Sequence, residues 1–490
     1  MDVPFLPRSA SSGVKTAVVS GLGPNGVLAA LELLAAGYHV TVVEKRPAYT
    51  RPIHLHLRAS YLNDVRRLSP KLYSKLMALA TPIQQMERTR RPGSVSVLSH
   101  NFPGADEGIS SEEREVRDRL IQAPVMHVRL DSAERLFYSY LNGLTGLQYG
   151  LDPAHRLTIR RGFTLDLEAD ALGRYHASIR ASDVDDPKAP GAESLGHPDL
   201  IVLAEGGKSA SVMRLGLENV RFSYPKYFMS AHVPVSFGPK TRRIDTNVKH
   251  FVKGEAPTDV SLWACGHGDP KQGTWIVLEV PAAFMGRSAA DAIEYFVAGA
   301  TMLLASEKNG AKAGPELAQV IRESVSERNL LGAARKCSSA ESAPNGTPFA
   351  GTFRFEQQCL RRPGVGANLI VLGDSAGMGH HALSSGLEMG ACDLAPLRQL
   401  AQALARGEDG TGAVARYAER VFRSRMTLLA LGMREYYPQL DFDPVDLLHR
   451  AAELAETGGA TSACEAFEAL VADAAGERES TPVAARSIAA

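Results

Sequence analysis

Three kinds of hydrophobic pattern divide the chain. Short apolar or β-branched runs at Ala17–Val19, Asp199–Ala204 and Asn368–Leu372 suit strands buried on both faces of a parallel sheet. Ala/Leu-rich runs with helical spacing follow the first and last of these, at Val27–Ala36 and from about Gly386 to Arg406, and helices continue to about Ala474. Between them, Phe163–Ile179, Tyr227–Val235 and Thr274–Val280 alternate as half-buried strands do. His39–Val43 predicts a second buried strand, and Gly37 stands where a helix C-cap is expected. Val125–Leu130 predicts a strand entering a helix over Ser132–Leu141, and further helices are predicted around Asn63–Leu68, Ala289–Ala305 and Ala318–Arg328. Two polar, turn-rich stretches interrupt the pattern: Thr89–Arg117, expected at the surface, and Asp183–His197, expected as a flexible turn.

The order of these patterns predicts an α/β fold. A βαβ unit opens the chain, a strand-rich region occupies residues 220–355, and a strand, a glycine turn and helices then return. The expected architecture is a Rossmann-like nucleotide-binding domain interrupted by a β-sheet domain, with C-terminal helices. The nucleotide domain is assigned to residues 14–90, 125–219 and 356–475, with 91–124 as a surface excursion, 1–13 as a flexible leader and 476–490 as a disordered tail.

Three glycine turns follow the buried strands. The first is Gly21-Leu-Gly23-Pro24-Asn25-Gly26, with Glu44 ending the second strand and Lys45 after it. The first glycine permits the tight turn, the second lets backbone approach a pyrophosphate, and the third lets helix pack on strand. The helix start offers N–H groups and a positive dipole to phosphate, and an acid about 20 residues on suits a ribose hydroxyl. A glycine triplet alone is weak, but here strand, helix, second strand and acid accompany it, so this unit is expected to bind an ADP moiety. The second turn is Ala204-Glu205-Gly206-Gly207-Lys-Ser209. The third is Gly373-Asp374-Ser-Ala376-Gly377, whose carboxylate suits a ribityl-like hydroxyl chain or else caps the turn.

In this combination the chain resembles the group A FAD-dependent monooxygenases, whose type fold is that of para-hydroxybenzoate hydroxylase. The resemblance implies FAD as cofactor, NADPH or NADH as reductant, O2 as co-substrate, and oxidation of a small organic substrate through a flavin C4a-hydroperoxide. It assigns Gly21, Gly23, Pro24, Asn25, Gly26, Glu44, Lys45, Arg51, Arg129, Glu205, Gly206, Gly373, Asp374 and Gly386 to the FAD side. From Gly21 to about Lys75 the chain is also similar to MICAL-type monooxygenase domains, through Glu44-Lys-Arg, Arg51, His56-Leu57, Asp64-Val-Arg66 and Lys71-Leu-Tyr73. It has no calponin-homology or LIM-type pattern, so an actin-directed role is not implied. Two departures stand out. Glu205 replaces the family's aspartate, and Gly377 and His381 replace a histidine and a proline in the late motif.

Composition narrows the partners. Of 490 residues, 44% are hydrophobic and 22% charged, and 54 Lys and Arg balance 54 Asp and Glu. That balance gives no general pull toward nucleic acid or anionic membrane. Five scattered cysteines without CxxC spacing predict neither a disulfide framework nor a metal site, and fit a reducing cytoplasm. No uncharged apolar run has membrane-spanning length, and the N-terminal residues 1–13 lack an apolar h-region of signal-peptide length. His380 and His381 are candidate proton shuttles beside the flavin, or structural histidines. His54 and His56 fall on one side of an extended segment, facing FAD or the nicotinamide phosphates, or packing in a turn. Tyr224, Tyr227, Trp263 and Trp275 fall in the substrate sheet. The alternatives are a reductase of the geranylgeranyl-reductase type and a non-catalytic protein of the same fold. A halogenase is disfavoured because no WxWxIP stretch occurs.

Overall fold

The computed structural model describes residues 14–49, 54–83, 85–88, 111–122, 124–145, 157–182, 192–235, 242–250, 258–266, 273–281, 287–306, 315–326, 352–379 and 386–436, with single positions 284, 330, 447, 450, 454, 466, 469 and 470. The opening unit is β1 (Thr16–Ser20), α1 (Pro24–Ala35) and β2 (His39–Glu44). α1 begins on Gly23 with Pro24 in its first turn, where a missing N–H costs no hydrogen bond. It ends at Ala36, and Gly37 then turns the chain with φ 88°. β3 (His54–Leu57), α2 (Ala59–Leu68), α3 (Pro70–Leu79), β4 (Thr81–Pro82) and β5 (Gln85–Arg88) follow. Ser69 divides α2 from α3, its hydroxyl accepting from the Leu72 amide.

α4 (Ser111–Ile121) leads to β6 (Met126–Arg129) and α5 (Leu130–Thr145). Residues 111–117, expected within an irregular surface stretch, thus open a helix. Arg119 holds that helix to α2 through Asp64 at 2.6 Å and to the buried Glu388 at 2.6 Å. β7 (Leu157–Arg161), β8 (Phe163–Ala169), β9 (Tyr175–Ala181), β10 (Glu193–Gly196) and β11 (Leu200–Leu203) come next, then the short α6 (Ala210–Arg214). β10 lies inside the expected turn: Glu193 and Ser194 pair with β9, and a bulge before Gly196 closes the meander.

The strand-rich region holds β12 (Asn219–Val233), β13 (Arg242–His250), β14 (Thr258–Gly266) and β15 (Thr274–Val280), followed by α7 (Ala289–Ser306) and α8 (Pro315–Ser324). The chain returns through β16 (Phe353–Leu360), β17 (Gly364–Val365), β18 (Leu369–Val371) and β19 (Gly377–Met378). It ends in α9 (Gly386–Cys392), α10 (Leu394–Ala405) and α11 (Gly410–Tyr436). The long helix expected over about Gly386–Arg406 is broken at Asp393. Pro396 lacks the N–H that would bond the carbonyl four residues back, and its ring crowds that position. The break frees the Asp393 carboxylate to accept the Gly373 amide at 2.9 Å.

Four sheets result. The first has the order β17-β18-β11-β1-β2-β7, parallel throughout except for β17. β1 lies at its centre, with Ala17 opposite Val40 on one side and Leu200 on the other. The meander β10-β9-β8 shares its core with this sheet through Leu165, Ala177 and Ile179. β3-β6-β4 form a small antiparallel sheet. The large sheet, β19-β16-β12-β15-β14-β13-β5, builds a second core with α7, α8 and residues such as Leu262, Ile276, Phe296 and Ile321. Among the described residues no helix is long and apolar enough to cross a membrane.

Candidate functional site

All three glycine turns leave the C-terminal ends of neighbouring strands in the parallel sheet: the first after β1, the middle after β11, the late after β18. Glu44 ends β2, next to β1. The turns are packed against one another. Gly21 has φ 104°, and a Cβ there would stand 2.3 Å from the Ala204 carbonyl oxygen. A Cβ on Gly26 would stand 2.0 Å from the Gly21 oxygen. Gly23 is different: nothing lies within 4 Å of its Cβ position, and α1 has no side-chain cap. The start of α1 therefore faces open space with its N–H groups exposed to a ligand, as a pyrophosphate site requires.

Glu44 is buried, and its carboxylate accepts the Leu22 amide at 2.8 Å and both the Arg46 amide and Nε at 2.9 Å. Burial alone would raise its pKa. The bonds and charge of Arg46 and the two amides outweigh burial and hold it below the ordinary carboxylate value. Stability from a lowered carboxyl pKa is complete above its unfolded value and is lost as pH falls through the folded one. Glu44→Gln should therefore flatten the acid limb of the stability curve, read from denaturant melts below about pH 4.5, the ordinary value. An unchanged acid limb would show that Glu44 is not held this way. Lys45 is exposed beside it.

The middle turn is tied down by its acid. Ser20 Oγ, Ser209 Oγ and Ser211 Oγ donate to Glu205 at 2.5, 2.7 and 2.7 Å, and the Ser211 amide donates at 3.1 Å. Glu205 thus joins β1 to the start of α6, a contact set the extra methylene reaches. Gly206, at φ 85°, has nothing within 4 Å of its Cβ position. Its carbonyl accepts from Ser375 Oγ at 3.1 Å, which joins the middle and late turns.

In the late turn Gly373 has φ 66° and Asp374 is half-buried. Gly386 is close enough that a Cβ there would lie 3.2 Å from Asp374 Oδ1. Asn25 sits beneath both turns, so close to Gly390 that a Cβ there would meet its amide at 1.8 Å. Its buried Oδ1 has no hydrogen-bond partner among the described residues. An open helix start after β1, a half-buried carboxylate two strands away after β18 and an orphaned acceptor between them fit an extended dinucleotide with hydroxyl and amide groups. The late turn continues into β19, where Met378 pairs with Gln358 of β16, so the cradle borders the large sheet.

The remaining expected residues divide. Arg129 ends β6, but its guanidinium binds Asp131 at 3.1 and 3.0 Å, and Asp131 also takes Arg135 at 2.7 Å. Arg51, His380 and His381 lie outside the described residues. Tyr224 and Tyr227 fall on β12, Trp263 on β14 and Trp275 on β15, all in the large sheet.

A second constellation was not expected. His54 and His56 of β3 and His127 of β6 meet Cys265 of β14. His56 Nε2 is 3.1 Å and His127 Nδ1 is 3.5 Å from the Cys265 sulfur. His56 and Cys265 are 209 positions apart, so no local spacing signals the group.

No family model matches the chain, and no curated protein matches it in sequence. Solved structures do match in shape. HpxO of Klebsiella pneumoniae, complexed with FAD and uric acid, aligns with TM-score 0.52 at 14% identity, over 92% of this chain and 96% of that one. p-Nitrophenol 4-monooxygenase PnpA of Pseudomonas putida DLL-E4 aligns with TM-score 0.51 at 16% identity, over 94% and 97%. The fold is that of the flavin-dependent monooxygenases. The same fold carries CmlS, a flavin-dependent halogenase, at TM-score 0.51 and 13% identity; 86% of this chain aligns, spanning 64% of the halogenase.

Proposed function

We propose that this chain is an FAD-dependent monooxygenase that uses NADPH or NADH and O2 to hydroxylate or oxidise a small organic molecule. The observation that carries this is the convergence of three glycine turns and Glu44 at the ends of four adjacent parallel strands, around an open helix start. The start of α1 takes the pyrophosphate. Glu44 takes an adenosine ribose hydroxyl on Oε2, in place of the long 3.4 Å bond from Arg46. Asp374 takes the ribityl hydroxyls, and Asn25 Oδ1 accepts from the cofactor's polar edge. Bound FAD supplies hydride acceptance and oxygen activation. The chain supplies orientation, with the substrate placed where the cradle meets the large sheet. The closer likeness of Gly21–Lys75 to MICAL-type domains rests on sequence motifs alone.

Asp374→Ala tests the assignment of the late turn. It should fold normally and bind FAD at least about tenfold more weakly, a change of about 1.4 kcal/mol, measured by titrating apoprotein with FAD. Unchanged affinity would remove Asp374 from the site. The reaction class is tested by adding NADPH anaerobically to the yellow protein. Bleaching, recovery with oxygen, and substrate-stimulated oxygen uptake support a monooxygenase. Reduction without any substrate-linked oxygen uptake would favour the reductase alternative.

A further inference from the structure

We infer that His54, His56, His127 and Cys265 form a zinc site that clasps the small sheet β3-β6-β4 to the large sheet. An extended strand sends alternate side chains to one side, so His54 and His56 share a face of β3. β6 runs antiparallel to β3 and sets His127 directly opposite His56. Three imidazoles therefore line one face of the small sheet, and Cys265 reaches them from β14. The ligand atoms of His54, His127 and Cys265 all lie within 4.8 Å of one another. His56 Nε2 at 3.1 Å and His127 Nδ1 at 3.5 Å from the sulfur match the roughly 3.5 Å between ligands of a tetrahedral zinc with 2.0–2.3 Å bonds. His56 lies outside that 4.8 Å group, its ring centroid 6.4 Å from that of His127, and completes the ligand set by side-chain rotation about its contact with the sulfur.

Burial and chemistry agree with an ion held between sheets. His54, His127 and Cys265 are buried, at 9%, 1% and 3% exposure. The group contains no carboxylate, which disfavours calcium and magnesium, whereas imidazole with one thiolate suits zinc. The thiol gives up its proton to bind and offsets half of the ion's charge. His232 of β12 lies alongside His54, ring centroids 6.0 Å apart and planes 17° from parallel. Gly273 leaves the room for this: a Cβ there would lie 2.5 Å from His232 Cε1. With four protein ligands the site is closed, so its role is structural.

The full chain, produced in zinc-supplemented medium and purified without chelators, provides the test by elemental analysis and zinc X-ray absorption. The expected result is close to one zinc per chain, with one sulfur at about 2.3 Å and nitrogens at about 2.0–2.1 Å. Cys265→Ser and His127→Ala should each bind zinc at least about tenfold more weakly, while His176→Ala, on the separate His176–His197 pair, should retain it. Zinc well below one per chain in the unsubstituted protein would overturn the inference, as would bound zinc without a sulfur ligand. The absorption spectrum of the unsubstituted protein decides even where a variant does not fold.

Discussion

Gly21→Ala is expected to yield colourless protein destabilised by about 3 kcal/mol or more, measured by denaturant melts and by visible absorbance after purification. Two costs combine. The backbone at φ 104° is one that side chains rarely adopt, and the added methyl would stand 2.3 Å from the Ala204 carbonyl oxygen. The strained backbone alone costs about 1–3 kcal/mol. The clash is backbone against methyl, and relief would require parting β1 from β11 at the centre of the parallel sheet. Gly23→Ala separates folding from binding. Its methyl meets nothing within 4 Å, so the fold should stand while the methyl enters the phosphate cradle and weakens FAD. A yellow, fully stable Gly21→Ala would contradict the packing described for the three turns.

Arg425→Met should cost about 3–5 kcal/mol, the range for removing one partner of a buried pair. Arg425 and Asp393 are each only 1% exposed and bonded to one another. Arg425 also donates to the Gly373 carbonyl at 3.1 Å, and Asp393 accepts the Gly373 amide at 2.9 Å, so the pair positions the residue before Asp374. Burial pushes the Asp393 carboxyl up to about 6, and Arg425 opposes the rise. Without Arg425 the folded pKa rises further. A carboxyl raised in the folded state binds more protons there than in the unfolded state, so stability falls as pH rises through that window. The variant should be penalised less at pH 5 than at pH 8. Adding Asp393→Asn should recover much of the loss, because no buried charge then lacks its counter-ion. A penalty independent of pH would mean that charge is not what the pair supplies. The misplaced turn should also weaken FAD, so absorbance and melts should move together.

The opening unit was legible because its signals are local. Gly21 answers to a left-handed turn, Gly26 to close packing against it and Glu44 to a strand end, while Gly23 keeps the helix start open, and β1, α1 and β2 fall within a residue or a few of the expected bounds. The late strand and turn were legible for the same reason. What escaped depends on contacts distant in sequence. Pro396 marks the break at Asp393 locally, but the partners of the Asp393 carboxylate, Gly373 and Arg425, are distant in sequence. α4 is held by Asp64 and Glu388 through Arg119. β10 forms because β9 offers a partner edge. Glu205, a departure from the resembling family by type, holds three serines that no spacing rule connects. The histidine and cysteine group is the extreme case: β3, β6 and β14 each contribute unremarkable residues, and only the approach of two sheets brings them together.

The central claim is that the C-terminal ends of the parallel strands hold FAD, and the visible spectrum of the purified chain tests it most directly. Flavin bands close to one FAD per chain, lost in Gly23→Ala protein that still folds, are the predicted result. A colourless protein that remains without flavin when FAD is added in excess would contradict it.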